Sequence, residues 1–324
     1  MKKIYKSIFI LAFLIIQTNL FAKTAKYQSD FYAITVNYNE KIVPGDAIFA
    51  RMKISSPKKK SKSDNQKKAS LVLVQNKKSI ENSPFYQINK KKNSSVEEML
   101  CGLPISPWIS EGDFSLKIII FISNDETFEF ELPVTFEMRE WNQEIISLDD
   151  KNTNIKTDTS PERIAQIEKL NDILFTVMTQ DIYSLKKFTV PTTSTRYTAY
   201  FGDRRTYKYI NGKSSTSLHY GNDYGIPTGT EIFSCADGKV VMAENRISTG
   251  WSIVIEHLPG LYSLYYHLSE INVKEGEMIK QGQIIGKSGA TGLATGPHLH
   301  WEIRLNGSAV RPEFFLANFT FDEE

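Results

Sequence analysis

Alternation of apolar and polar side chains is the pattern that most restricts the fold of this 324-residue chain. From Phe31 to Tyr38, side chains at every second position share their character, which is the spacing of a strand with one buried face. Further runs rich in Ile, Phe, Val and Thr, separated by polar turns, lie at 47–54, 71–74, 114–122 and 127–136. Several short strands joined by turns predict a β-sandwich, immunoglobulin-like, over residues 23–140.

The C-terminal region, residues 188–324, repeats the strand pattern. Apolar runs lie at 231–235, 239–243, 251–257, 261–267 and 300–305, and glycine-containing turns such as Asp237-Gly238 separate them. This region shows no long helical pattern. We therefore expect an antiparallel β domain here and a mainly β protein as a whole.

One helix is predicted within residues 141–187, a segment that begins as a polar linker between the two β domains. Ser160 suits the N-cap, and Pro161 suits the first turn, where its missing N–H is not needed. Apolar residues then recur at intervals of three and four, at Ile164, Ile167, Leu170, Leu174 and Val177. This spacing predicts one apolar face that packs between the domains, and binding of a partner protein is the alternative interpretation.

The first 22 residues have the pattern of a signal peptide. Lys2, Lys3 and Lys6 supply positive charge, and the apolar run at 7–16 has the length of a signal-peptide core. That run is much shorter than the roughly 20 residues of a membrane-spanning helix. We therefore expect cleavage near Ala22, export to the periplasm or cell envelope, and no stable membrane span afterwards.

Charge and cysteine content exclude two classes of protein. The formal net charge is only +2, which argues against a nucleic-acid binder. The lysine-rich runs at 57–68 and 90–92 are interpreted as solvated loops, with attraction to an anionic wall polymer as the alternative. Cys101 and Cys235 fall in different predicted domains, so we expect two free thiols rather than a disulfide-built scaffold.

Four of the five histidines, together with one aspartate, stand in an order that indicates a single-zinc site. His219, Asp223 and His300 can hold a zinc ion through three side chains and leave a fourth position open, as catalytic zinc requires. His298 and His300 are two apart, so in a strand they point to the same face. His298 and His267 then remain for proton transfer.

Several spaced motifs in this region resemble those of the LytM/lysostaphin-type zinc metalloendopeptidases, which hydrolyse peptidoglycan. In order, they are Asn211-Gly212, His219-x-x-x-Asp223, Tyr266-His267-Leu268-Ser269, Gly282-Gln283-x-x-Gly286 and Gly292-x-x-Thr295-Gly296-Pro297-His298-Leu299-His300-Trp301-Glu302. The resemblance covers about residues 188–315. It implies an antiparallel β fold with a narrow groove over the sheet.

The resemblance also implies a role for each motif residue. His219, Asp223 and His300 match the family's metal ligands, which implies one Zn²⁺ per chain. His267 and His298 match its catalytic histidines. A zinc ion lowers the pKa of bound water to roughly 7 and polarises the scissile carbonyl. The expected protein is a secreted zinc endopeptidase that cuts peptide cross-links or stem peptides of peptidoglycan. Peptidoglycan is therefore the expected partner, and a protein activator or inhibitor is a further candidate partner.

Two alternative functions use the same fold. One is a catalytically silent LytM-type regulator or wall-binding module, and the other is a peptidase that acts on a non-wall protein. Family members that have lost catalysis typically lack a metal position, whereas all the positions are present here. Cleavage of muropeptides compared with glycine-rich peptides distinguishes the wall from the non-wall substrate.

Other charged residues near the motifs were weighed as well. Glu302 would share a strand face with His300 and can orient it as a hydrogen-bond acceptor. Arg204 and Arg205 are interpreted as partners of surface acids, with contact to a substrate carboxylate as the alternative. His257, at the end of an apolar strand, is assigned no chemistry.

Overall fold

The computed structural model describes residues 23–28, 32–55, 68–88, 96–123, 126–317 and 321. The predicted signal peptide and most of both lysine-rich runs lie outside these residues. Contacts divide the chain into two compact units. The first comprises residues 1–42, 48–103 and 112–136, and the second comprises 43–47, 104–111 and 137–324. The domain boundaries expected after residues 22, 140 and 187 stay predictions.

The first unit is built of strands. They are β1 Lys23–Gln28, β2 Ala33–Tyr38, β3 Lys41–Ile42, β4 Ala47–Ser55, β5 Lys68–Gln75, β6 Lys78–Pro84, β7 Tyr86–Gln87, β8 Val96–Pro104, β9 Phe114–Ser123, β10 Glu126–Leu132 and β11 Thr135–Phe136. Among the described residues, one sheet has the order β1-β2-β4-β8-β7, a second has β10-β9-β5-β6, and β3 pairs with β11.

Alternating burial explains why the two larger sheets form. Ile34, Val36 and Tyr38 of β2 are buried while the residues between them are partly exposed. The two sheets meet at Tyr27 and Phe130, whose rings stack with centroids 3.9 Å apart. The mainly β prediction is confirmed, and the finer assignment to an immunoglobulin-like connectivity stays a prediction.

The second unit also consists mainly of strands. Its elements are β12 Gln143–Ser147, α1 Asp150–Thr157, α2 Pro161–Leu174, β13 Tyr197–Ala199, β14 Arg204–Lys208, β15 Ser214–Leu218, β16 Gly221–Tyr224, β17 Glu231–Phe233, β18 Gly238–Arg246, β19 Gly250–Leu258, β20 Leu261–Leu268, β21 Glu270–Ile271, β22 Met278–Ile279, β23 Ile284–Lys287, β24 Leu299–Leu305, β25 Ser308–Val310 and α3 Pro312–Leu316. Within the described part of the chain, eight strands form one sheet of order β13-β16-β24-β20-β19-β18-β22, with β25 paired to β24.

Two smaller sheets are formed by strands that alternate in sequence with those of the main sheet. One has the order β17-β23-β21, and the other has β12-β14-β15, in which β12 runs parallel to β14. The main sheet is antiparallel throughout, as expected.

The segment expected to be a polar linker contains a strand, β12, and a helix, α1. Asp149 caps α1 by accepting a hydrogen bond from the backbone N–H of Asn152.

The helix predicted after Ser160 is present as α2. Ser160 accepts a hydrogen bond from the Arg163 backbone N–H, and Pro161 occupies the first turn. The C-terminal half of α2 covers a cluster of buried side chains on one face of the main sheet. The cluster comprises Leu174, Met242, Val254, Tyr262, Leu264 and Tyr266, with Leu170, Ile173 and Val241 packed against it.

The predicted apolar face of α2 is wrong in its first two turns. Ile164 and Ile167 are 48% and 41% exposed. Gln166 faces the sheet instead. Its side-chain oxygen accepts a hydrogen bond from the backbone N–H of Ile247, and its backbone carbonyl accepts one from the guanidinium of Arg246. These two polar contacts fix the rotation of the helix, so the two isoleucines point to solvent.

Cys101 and Cys235 are buried free thiols, as predicted. No helix among the described residues has the length and apolar character to cross a membrane.

Candidate metal and catalytic site

Neighbouring strands of the main sheet bring the distant motifs together. Asp223 of β16 stands directly opposite His300 of β24 in the antiparallel register. Tyr266 of β20 stands opposite His300 on the other side, and its ring is nearly parallel to the imidazole, with centroids 5.6 Å apart. His219 lies two residues before β16, where its backbone N–H donates to the Asp203 carbonyl. Strand pairing thus converts residues far apart in sequence into neighbours.

The three predicted metal ligands converge on one point. His219 Nε2 lies 3.1 Å from Asp223 Oδ1 and 3.0 Å from His300 Nδ1, and the latter two atoms are 2.7 Å apart. The residues are 3%, 7% and 8% exposed, respectively. In the described part of the chain, they form a group that can hold a metal ion.

The outer hydrogen bonds of these residues leave the right atoms free to bind a metal. His219 Nδ1 lies 2.8 Å from the Tyr200 carbonyl, which can only accept, so the proton is on Nδ1 and Nε2 keeps its lone pair. Likewise, His300 Nε2 donates to Glu302 Oε1 at 2.9 Å and leaves Nδ1 for a metal. Two imidazole nitrogens and one carboxylate oxygen are a donor set that suits zinc, so the residues present fit this ion.

Burial and neighbouring charges set the protonation states of Asp223 and His300. Burial opposes the charge of Asp223, but His219 and His300 outweigh it and hold the pKa of this carboxyl well below its ordinary value. Burial likewise opposes a charged His300, but Asp223 and Glu302 outweigh it and raise its pKa to about 9. Without metal, His300 is therefore an imidazolium at neutral pH, placed between two carboxylates.

Zinc binding to the metal-free protein is expected to strengthen as the pH rises from 7 to 9. Below a pKa of about 9 for His300, the metal must displace a proton from Nδ1. Displacement of one proton changes the apparent affinity by up to about tenfold per pH unit, and the gain ends above that pKa. Competition titrations against a chelator of known pH dependence measure this slope. An affinity that is flat between pH 7 and 9 would contradict the assignment.

His267 owes its position to an irregularity in its strand. It is the penultimate residue of β20, where the register against β19 shifts, and its φ of 61° lies in the left-handed region. Such a conformation is costly for a residue with a side chain and is found at sites where a side chain must be redirected. His267 Nδ1 donates to the Thr291 carbonyl at 2.7 Å, which leaves Nε2 as a free acceptor.

His298 completes the site, and a backbone carbonyl fixes its tautomer as it does for His267. Its Nδ1 donates to the Gly296 carbonyl at 2.8 Å, and its Nε2 lies 3.8 Å from Asp223 Oδ1. The imidazoles of His298 and His267 have centroids 4.7 Å apart. Burial lowers the pKa of His298, and burial followed by the nearby His298 and His300 lowers that of His267 to about 3. Both rings are therefore neutral at pH 7 and able to accept a proton.

A groove of about 450 Å³ opens over these residues. Asp223, His267, His298 and His300 line it, together with residues 293–297 of the glycine-containing loop before β24. The strand β12 contributes Glu144 and Ile146 to the lining. Leu148, the residue directly after this strand, lines the groove as well. The groove thus gives an extended substrate access to Asp223, to His300 and to both neutral imidazoles.

Glu302, His257, Arg204 and Arg205 have different environments. Glu302 contacts His300 as anticipated, and His257 is fully buried and bonded to the Asp237 carbonyl and the Ser263 hydroxyl. The expected pairing with a surface acid is found for Arg205, which bonds to Glu144, but Arg204 contacts an aromatic ring and a backbone carbonyl instead. Arg204 lies over the ring of Trp108 at 3.6 Å, whereas Arg205 bonds to Asp223 itself.

The contact between Arg205 and Asp223 had no usable signal in the sequence. An arginine 18 residues from a ligand has no spacing that marks it. Only the pairing of β14 with β15, which ends just before His219, brings it to the site. The Tyr200 carbonyl, as a backbone group, could not be identified from residue types at all.

Comparison with known proteins identifies this part of the chain. The model of Peptidase family M23 matches residues 217–312. Peptidoglycan DD-endopeptidase ShyA of Vibrio cholerae is 45% identical over 92 residues, which are 28% of this chain and 21% of that protein. DD-carboxypeptidase/endopeptidase Mpg of Neisseria meningitidis is 42% identical over 95 residues, or 29% and 22%. The chain thus spans about a fifth of the length of these curated relatives.

One solved structure resembles most of the chain. The crystal structure of a candidate peptidase M23 from Pseudomonas aeruginosa has a TM-score of 0.55 at 20% identity and covers 86% of this chain and 96% of that one. At this identity the likeness shows the fold alone. The family match, in contrast, spans His219, Asp223, His267, His298 and His300, which the structure gathers at one groove. Residues 217–312 are therefore a LytM-type domain of peptidase family M23.

Proposed function

We propose that this protein is an exported zinc-dependent endopeptidase that hydrolyses peptide bonds in peptidoglycan cross-links or stem peptides. The observation that carries the proposal is the convergence of three metal-binding atoms beside two neutral imidazoles at one groove. Sequence similarity to a peptidoglycan DD-endopeptidase and a DD-carboxypeptidase/endopeptidase supports the choice of substrate. The signal-like pattern of residues 1–22 supports export to the periplasm or cell envelope.

The residues divide the chemistry between them. His219, Asp223 and His300 would hold one zinc ion, which supplies an activated water and polarises a peptide carbonyl. Nε2 of His298 or of His267 accepts a proton within the groove and returns it to the leaving amine. The second imidazole also has Nε2 free as an acceptor, and it can orient the attacking water by accepting a hydrogen bond from it. The hydrogen bonds from Nδ1 to the Gly296 and Thr291 carbonyls hold both rings in the tautomer that these steps need.

Cleavage of defined muropeptides tests the proposal. The purified full chain, loaded with zinc, is expected to convert cross-linked dimers to monomers, with the cut bond identified by mass spectrometry. A chelator should stop the reaction and added zinc should restore it. Protein that binds one zinc but leaves every muropeptide intact would contradict the proposal. Cleavage of glycine-rich peptides alone, measured in the same panel, would retain the peptidase and reject the wall substrate.

A further inference from the structure

Arg205 bridges two carboxylates next to the ligand trio. Its Nη2 donates to Asp223 Oδ2 at 2.9 Å, and its Nε donates to Glu144 Oε2 at 3.1 Å. The Arg205 side chain is only 12% exposed, whereas that of Glu144 is 43% exposed. The guanidinium therefore lies between the open side of the groove and a buried ligand.

The two oxygens of Asp223 have separate partners. Oδ1 faces His219 Nε2 and His300 Nδ1, and Oδ2 faces Arg205. Without a fixed partner for Oδ2, the carboxylate can rotate about its terminal bond and present either oxygen, or both, to a cation. A charge-assisted hydrogen bond to Oδ2 selects one orientation and leaves Oδ1 directed at the two imidazoles.

The neighbouring arginine has a different environment. Arg204 precedes Arg205 in β14, and successive residues of a strand point to opposite faces. Its guanidinium stacks on Trp108 and donates to the Pro107 carbonyl at 2.8 Å. Arg204 thus carries the same charge at nearly the same point of the chain without contacting Asp223.

We propose that Arg205 is a positioning residue that fixes the coordinating orientation of Asp223 and so determines how tightly the divalent cation is held. The inference rests on the proposed function, because it takes Asp223 as a metal ligand. The planar guanidinium reaches two carboxylates at once through Nε and Nη2, and the single ammonium of a lysine cannot reproduce that bridge.

Zinc affinity, rather than peptidase activity, tests this inference. In competition titrations of the full chain, Arg205→Gln is expected to bind zinc about 10–100-fold more weakly than the unsubstituted protein, as is usual when a residue that orients a ligand is lost. Arg205→Lys should recover part of that loss. The matched control, Arg204→Gln, removes the same charge and should keep the affinity of the unsubstituted protein. Cobalt(II) absorption spectra add a second readout, because a reoriented Asp223 changes the coordination geometry and the bands of Arg205→Gln.

Each outcome decides the matter. Equal zinc affinity for Arg205→Gln and the unsubstituted protein, or equal losses for Arg204→Gln and Arg205→Gln, would overturn the inference alone. Absence of zinc binding by the unsubstituted protein would overturn it together with the proposed function. Thermal unfolding of the metal-free forms checks folding. If Arg205→Gln does not fold, Arg205→Lys decides instead, and an affinity equal to that of the unsubstituted protein would count against the inference.

Discussion

Replacement of His298 with alanine is expected to lower kcat on a cross-linked muropeptide by about 10²–10⁴-fold, the usual contribution of a positioned acid or base. The zinc content should stay at that of the unsubstituted protein, because His298 Nε2 lies 3.8 Å from Asp223 Oδ1, outside the tight ligand trio. His267→Ala should also lose kcat and keep its metal. Kinetics and metal analysis of the same preparations measure both effects.

His257 supplies the matched control for these variants. It is fully buried and bonded to the Asp237 carbonyl and the Ser263 hydroxyl, away from the groove. His257→Asn should lower the melting temperature and keep the kcat of each folded molecule. If His298→Ala and His267→Ala both retained full kcat with zinc bound, neither imidazole would transfer a proton in the reaction.

Loss of His300 is expected to weaken zinc binding, unlike loss of His298 or His267. His300→Ala removes one of three donor atoms and leaves Asp223 and Glu302 without the imidazole that joins them. We expect zinc affinity to fall by more than about 100-fold, beyond the range for residues that only orient a ligand. Isothermal titration with zinc measures the affinity, and muropeptide cleavage should be lost with it.

The His300 variant also shows whether His300 is a metal ligand or acts only in folding. If His300→Ala bound one zinc with undiminished affinity, the ligand assignment would be wrong. A fall in melting temperature without a change in affinity would show that His300 acts only in folding. Parallel titration of Arg205→Gln ranks the two contributions, and the loss for His300→Ala should exceed it.

Local patterns were sufficient to predict β20 and β24, two of the strands that carry the site, but not β16, which carries Asp223. The strand predicted at 300–305 corresponds to β24, and the spacing of His298 and His300 predicted that both side chains reach one groove. The helix α2 was predicted because its cap, Ser160, is a strong local signal. These features depend only on residues close together in sequence, so they can be predicted without knowledge of the fold.

The features that were missed depend on contacts between residues far apart in sequence. Strand β12 pairs in parallel with β14, about 60 residues later, and its residues alternate between exposed and half-buried, so none of them marks a core strand. The rotation of α2 was misjudged because Gln166 bonds to Ile247, about 80 residues away. The contact of Arg205 with Asp223 was missed for the same reason, since only the folded sheet brings the two residues together.

The interleaving of the two compact units restricts how the protein can be divided. Segments 43–47 and 104–111 belong to the same unit as the metal site, although they lie within the sequence of the other. In the first of them, Asp46 pairs with both Arg139 and Arg311. No single break in the polypeptide can therefore separate the two units, and a truncation that removes residues 1–136 would also remove two segments of the unit that holds the metal site.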